Sequence, residues 1–241
     1  MLDKTEGIVL KTTRYAESSV IVKIFTRKFG ILSFMVQGVR SSRNKQKGNL
    51  LQPLHVLDLE IQLKEHRALH TIKEYQPAYI YKQMYMDMLR QSVAIFCIEL
   101  IAKCMKEQEV NERLYGYLAS FLLELDTSQE RIQMKPLFFL MELASLLGFE
   151  LSLQHISEGN YFNLASGRFE HTLSGSQPCL NAHETMLFKK LMVMYYEKDH
   201  DVQLSASERT LLFDKLLLYF RWHVDDFSSL KSPAILHEVL K

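Results

Sequence analysis

Arg40, Arg43, Lys45 and Lys47 place four cations within eight residues of the stretch GVRSSRNKQKGNLLQP, residues 38–53, which contains no carboxylate. Serine, asparagine and glutamine separate the charges, so the segment resists burial and keeps its cations in water, where they suit a polyanion such as a phosphate backbone. Arg14, Arg27 and Lys28 fall at two further turn-like positions and are candidates for the same contact. The formal net charge of +1 conceals an asymmetry. Residues 1–76 carry thirteen Lys and Arg against seven Asp and Glu, whereas residues 77–241 carry sixteen against twenty-one. A basic binding module attached to an acidic body is the expectation.

Other chemistry has weaker signals. Asp225 with Asp226, and Asp199 with Asp201 around His200, have the composition of a two-cation nuclease cluster. Adjacent carboxylates on polar stretches are ordinary surface, however, and read here as a helix end and a solvated loop. His155, His171, Cys179 and His183 are nominal zinc ligands without the paired spacing that rigid zinc sites use. No phosphate-cradling glycine loop, GxSxG or HExxH is present, so the chain is read as one that binds rather than turns over a substrate. Cys97 and Cys104 lie in an apolar helical pattern as buried reduced thiols, which fits a cytoplasmic setting. The opening MLDKTEGIVLK has no signal-peptide core, and no apolar run is long enough to span a membrane.

These cations need a scaffold. GIVLKTT, SSVIVKIFT and ILSFMVQG read as three β-strands, the last entered through a tight turn at Gly30. Leu57, Leu59, Ile61 and Leu63 alternate with polar residues in a fourth strand, and ALHTIKEY is a fifth that Pro77 ends. Residues 38–53 are therefore a long loop between strands. Five short strands in about 75 residues suit a closed barrel of the OB type, because closure removes exposed edges. Tyr15, Phe25, Phe29 and Phe34 are candidate stacking platforms for bases, though Phe25 and Phe34 alternate toward a barrel core. After a linker, YQPAYIYK, the period changes to helical. Helices are expected over 84–108, after an Asn111 cap, from about Pro136 to a Gly148 cap, over 182–198, and behind a Ser205/Glu208 capping box, with a short one at PAILHEVL. The segment around Ala165, Ser166 and Gly167 reads as a β-hairpin. The fold class is thus α+β: a barrel over residues 1–78, then a helical domain over 79–241 with a β insert at about 150–181.

In this order of elements the chain resembles the RecO family of bacterial recombination mediators. The residues that carry the resemblance are EGIVLKTTRYAESSVIVKIFTRKFGIL, the GVR leaving the third strand, the QPL entering the fourth, and MELASLLGFEL at a helix end. The resemblance implies binding of single- and double-stranded DNA, annealing of complementary strands, and loading of recombinase onto strands coated by single-strand-binding protein. It also implies partnership with RecR and with the acidic tail of the coating protein, in a cytoplasmic, nucleoid-associated location. A reading from another class is an adaptor whose basic barrel holds an acidic protein segment and no DNA. Many members of the family carry two CxxC pairs for zinc after the third helix, where this chain has only Cys179. The purified protein is therefore expected to contain no stoichiometric zinc. Metal analysis that found about one zinc per chain, with a melting temperature lowered by chelator, would overturn this expectation.

Overall fold

The structure is a computed structural model that describes residues 2–39, 45–64, 67–128, 132–151, 156, 159–172, 178–198, 203–227 and 229–239. By compactness the chain forms two units, Met1–Gln129 and Glu130–Lys241.

In the first unit the five expected strands are β1 (Asp3–Arg14), β2 (Val20–Thr26), β3 (Gly30–Val36), β4 (Val56–Gln62) and β5 (Leu69–Pro77). They close in the order β1-β2-β3-β5-β4. Every pairing is antiparallel except the seam between β3 and β5, which is parallel and pairs only Ser33 with Leu69 and Phe34 with His70. Alternation puts Val9, Val22, Ile24, Leu32, Phe34, Leu57, Leu59 and Ile61 inside. The long loop contains an element that was not expected, a short helix α1 (Lys45–Asn49). Leu50 and Leu51 behind it pack on the barrel core, and the Thr12 hydroxyl donates to the Leu51 carbonyl. Periodicity cannot register a helix of five residues, because it completes fewer than two turns.

The outer side of β1, β2 and β3 is also partly dry. Ile8, Phe25 and Ile31 alternate with the inward residues yet are buried, and Phe25 meets Tyr115 edge to face at 5.5 Å. Tyr115 belongs to α3 (Glu112–Thr127), which follows α2 (Met88–Cys104). The connection between these helices lies along β3: the Gln108 N–H donates to the Ile31 carbonyl at 3.0 Å. A Cβ at Gly30, whose φ is +67°, would sit 2.2 Å from the Glu109 carbonyl oxygen, so glycine is required there for space as well as for backbone. These contacts put both helices in one unit with the barrel.

YQPAYIYK, expected as a linker, is instead a packed strap. The Tyr81 hydroxyl donates to the Leu54 carbonyl at 3.0 Å, and the Tyr79 hydroxyl donates to Asp126 Oδ2 at 3.0 Å. Asp126, buried near the end of α3, also accepts the backbone N–H groups of Lys82, Gln83 and Met84 at 2.7 to 3.1 Å. Arg90, buried in the first turn of α2, donates to Asp87 and to the Leu125 carbonyl. Burial pushes the thiol of Cys104 up to about 12 and that of Cys97 well above its ordinary value, so neither supplies a thiolate.

The second unit holds α4 (Lys135–Leu146), the hairpin β6 (Tyr161–Asn163) and β7 (Arg168–Glu170), α5 (Ala182–Glu197), α6 (Ala206–His223) and α7 (Ser232–Val239). Capping boxes start α5 at Asn181/Glu184 and α6 at Ser205/Glu208. The hairpin is held by packing: Phe162 contacts the rings of Phe169, Phe188 and Tyr219 at 5.0, 4.7 and 6.1 Å. Asn163 ties its turn, accepting from the N–H groups of Ala165 and Ser166 while its amide donates to Glu170 at 2.7 Å. Tyr219 fills the space over Gly167, and its hydroxyl donates to the Phe149 carbonyl at 2.9 Å.

Burial alone would raise the Asp126 carboxyl, but the three N–H groups and the Tyr79 hydroxyl outweigh it and hold the carboxyl below its ordinary value. The stabilisation is therefore present above the unfolded value of about 4 and is lost as pH falls through the lower folded value. Asp126→Asn turns an amide N–H₂ toward N–H donors and should cost about 3 kcal/mol near pH 7, or roughly 6–12 °C in melting temperature. The gap between wild type and variant should narrow in acid. A shift below about 2 °C at pH 7 would show that the strap is held by its tyrosines alone.

Candidate nucleic-acid interface

The parallel seam ends at Phe34 and His70, and beyond it β3 and β5 part. A groove of about 570 Å³ opens there, floored by Val36, Val39 and Ile72 and edged by Lys47, Lys64 and Lys73. All three lysines are exposed, and among the described residues no carboxylate lines the groove. Local bonds hold its walls. The Tyr75 hydroxyl donates to the Lys47 carbonyl at 3.2 Å, fixing α1 against β5, and burial raises that phenol above its ordinary value. On the other wall the Lys64 N–H donates to His70 Nδ1 at 3.1 Å. Burial lowers the His70 imidazole, the neighbouring Lys64 charge lowers it further, and Glu107 opposes them. A neutral ring is what allows Nδ1 to accept this bond.

Arg14 lies at the same end of the barrel. It pairs with Val20, and Val20 pairs with Val36 of the groove floor. Arg40 and Arg43 lie outside the described residues. Lys45 opens α1, but its side chain is also outside them, leaving Lys47 as the member of the loop cluster whose side chain is placed.

Arg27 and Lys28 are placed elsewhere, in the turn between β2 and β3, at the other end of the strand pair from Arg14. They edge a hollow of about 680 Å³ over the outer face of β1, β4 and β5, together with Glu6, Asp58, Glu60, Glu74 and Glu112. Arg27 Nη1 is 3.2 Å from Glu6 Oε2, and Lys28 Nζ donates to the Lys4 carbonyl at 2.8 Å. Four of the seven carboxylates in residues 1–76 line this hollow, with three of the thirteen cations. Among the other described cations of residues 1–76, Lys47, Lys64 and Lys73 edge the groove, Arg14 lies at its end of the barrel, and Lys23 is engaged by Glu107 at 2.7 Å. Among the described residues the barrel therefore gathers carboxylates at one hollow and lysines at the groove, and charges of one sign set up a field over each.

Of the four candidate stacking aromatics, the fold removes three. Phe34 is inside the barrel beside His70, its ring centre 6.1 Å away. Phe25 is covered by Tyr115, and Phe29 packs on the barrel core. Tyr15 is 63% exposed, in the turn after Arg14.

Lys64 and Lys73 were not singled out from the sequence, where each is an isolated lysine at a strand end or on a polar strand face. Their meeting with Lys47 depends on the pairing of β3 with β5, which leaves no local pattern. The regional excess of positive charge was the one signal.

In the second unit, Leu217, Leu218, Phe227, Leu230 and Pro233 line an apolar groove of about 380 Å³ between α6 and the segment leading into α7, with Arg221 at its edge. Lys215, also at the groove, is engaged by Glu184 at 2.7 Å, and Asp214 by His237 at 3.1 Å. Lys189 is tied to the hairpin, donating to the Gly159 carbonyl at 2.6 Å with its ammonium 5.0 Å from the Phe169 ring centre. Among the described residues no group of three or more His, Cys, Asp or Glu is arranged to hold a metal ion; Asp199, His200, Asp201 and His155 lie outside them. Among the described residues, too, no helix is long and apolar enough to cross a membrane.

The family described as Recombination protein O N terminal matches residues 1–81, and that described as Recombination protein O C terminal matches residues 86–233. The chain is 32% identical over 239 residues to the DNA repair protein RecO of Flavobacterium psychrophilum, covering 98% of each chain. It is 32% identical over 239 residues to DNA repair protein RecO of Phocaeicola vulgatus, covering 99% of each, and 31% identical over 244 residues to that of Bacteroides fragilis, again covering 99% of each. A closed five-stranded barrel followed by helices, matched along nearly its whole length by these relatives, places this chain in the RecO family of DNA repair proteins.

Proposed function

We propose that the protein is a DNA-binding recombination mediator that grips phosphate backbones on the basic side of its barrel, residues 1–78, and receives a protein partner on its helical part, residues 79–241. The observation that carries this reading is the segregation of charge among the described residues: a lysine-edged groove without carboxylates at one end of the barrel, and a carboxylate-rich hollow on another face. Arg14, Lys47, Lys64 and Lys73 form the interface with Arg40, Arg43 and Lys45. Arg27 and Lys28, set among carboxylates, contribute little. Contacts of this kind neutralise phosphates and leave base edges free. Two strands so held repel each other less and can pair, which gives annealing a physical basis and suits both single- and double-stranded DNA. Loading recombinase onto strands coated by single-strand-binding protein, in partnership with RecR, is the role that fits this activity and the family. The work is done in the cytoplasm, at the nucleoid, by binding rather than by turnover.

Filter binding of a random single-stranded oligonucleotide at several salt concentrations tests the reading. Replacing Lys47, Lys64 and Lys73 by alanine should make the slope of log affinity against log salt shallower by roughly two units, from about 0.7 per contact on a single strand. Replacing Arg27 and Lys28 should leave that slope nearly unchanged. Failure of the wild type to retain DNA at any salt concentration would favour the adaptor reading.

The apolar groove of the second unit suits an acidic peptide with an apolar C-terminal end, such as the tail of the coating protein. Its floor accepts the apolar side chains, and Arg221, which has no partner among the described residues, meets the terminal carboxylate. Arg221→Ala should weaken binding of such a peptide by about tenfold, the loss expected of one charge-assisted contact. Unchanged affinity, measured by fluorescence anisotropy on the folded full chain, would remove this groove from consideration.

A further inference from the structure

Tyr15 has no task in the fold. The residue is 63% exposed, and no hydrogen bond or ring contact engages its side chain among the described residues. The turn that carries it is closed by its own backbone hydrogen bonds. The N–H groups of Tyr15 and Ala16 both donate to the Ser19 carbonyl, at 3.1 and 3.3 Å, closing a compact reversal between β1 and β2. The ring is therefore presented to solvent from a fixed backbone. Its setting is also defined: Arg14 precedes it, and the turn enters β2 at Val20, whose cross-strand neighbour Val36 floors the lysine groove. An aromatic face thus stands at the end of the barrel where phosphates would be held, while Phe25, Phe29 and Phe34 are taken up by packing.

An exposed aromatic on a fixed turn beside cations has the composition of a single-strand contact. Cations hold the backbone, and a ring accepts any base through its face. A duplex keeps its bases stacked on one another and offers the ring little. We infer that Tyr15 stacks on an unpaired base of a strand held in the lysine groove, and that this contact makes the barrel favour single strands over duplex. The inference rests on the DNA-binding reading above and adds to it a residue that discriminates between the two forms.

Anisotropy at one salt concentration, with a thymidine oligonucleotide, an abasic oligonucleotide of the same length and a duplex, separates the possibilities. Tyr15→Ala should weaken binding of the thymidine strand on the order of 5- to 150-fold, the range for loss of one stacking contact. Binding of the abasic strand and the duplex should stay the same, and the salt slope should not move. Tyr15→Phe, which keeps the ring and loses the hydroxyl, should bind like the wild type. Equal losses on the thymidine and abasic strands, or no loss on either, would overturn the role of Tyr15 while leaving the lysine groove standing. Absence of DNA binding by the wild type would overturn the DNA reading itself, and this inference with it.

Discussion

The parallel seam between β3 and β5 closes the barrel with two residue pairs, Ser33 with Leu69 and Phe34 with His70, and the lysine-edged groove follows from its shortness. A sheet left open would expose the edges of β3 and β5 along their length. A longer seam would leave no room between them. With two pairs the interior is sealed by Phe34 and Ile72, and the diverging strand ends leave the groove that Lys47, Lys64 and Lys73 edge. His70 stands at the point of divergence, buried and neutral, and accepts from the Lys64 N–H, so closure and placement of a groove lysine depend on the same side chain.

Charge on the barrel is sorted by the strands that carry it. Glu6 on β1, Asp58 and Glu60 on β4, and Glu74 on β5 all point outward on adjacent strands, where barrel closure gathers them. Lys47, Lys64 and Lys73 stand together at the groove instead. Coulomb attraction between single exposed pairs is weak in water, but several charges of one sign on one side set up a field that a polyanion senses as a whole.

The hairpin between α4 and α5 shows how the second unit holds a small β element by packing. A two-stranded ribbon is marginal in water by itself. Here Phe162 buries its ring against Phe169, Phe188 and Tyr219, and the Phe162 N–H is taken by the Thr185 hydroxyl at 3.0 Å. Leu180 and Leu164 bond across to the strand and to the Pro178 carbonyl, so the chain on both sides is fastened to the ribbon. Cys179 sits in this bonded stretch, where it pairs across from Asn163.

Period and punctuation made most of the elements legible. Alternation at Leu57, Leu59 and Ile61 located β4. The Ser205/Glu208 box and the Asn111 cap located two helix starts, and Gly148, at φ +87°, located a helix end. All of these are decided within a few residues, where local sterics and hydrogen bonds dominate. Residues 38–53 showed their charge but not α1, which is too short to display a period and is held by Leu50 and Leu51 on the core. The strap of tyrosines looked like a linker because its anchor, Asp126, lies more than forty residues away. The grouping of cations was the least legible feature. Arg14, Arg27 and Lys28 are equivalent as turn-flanking cations along the chain, yet the antiparallel pairing of β1 and β2 sends the first and the other two to opposite ends. Composition by itself determined that the N-terminal region is basic, because charge needs only counting. Which of its cations stand together was decided by the tertiary structure, since neighbours across a barrel are set by strand pairing and register and not by sequence spacing.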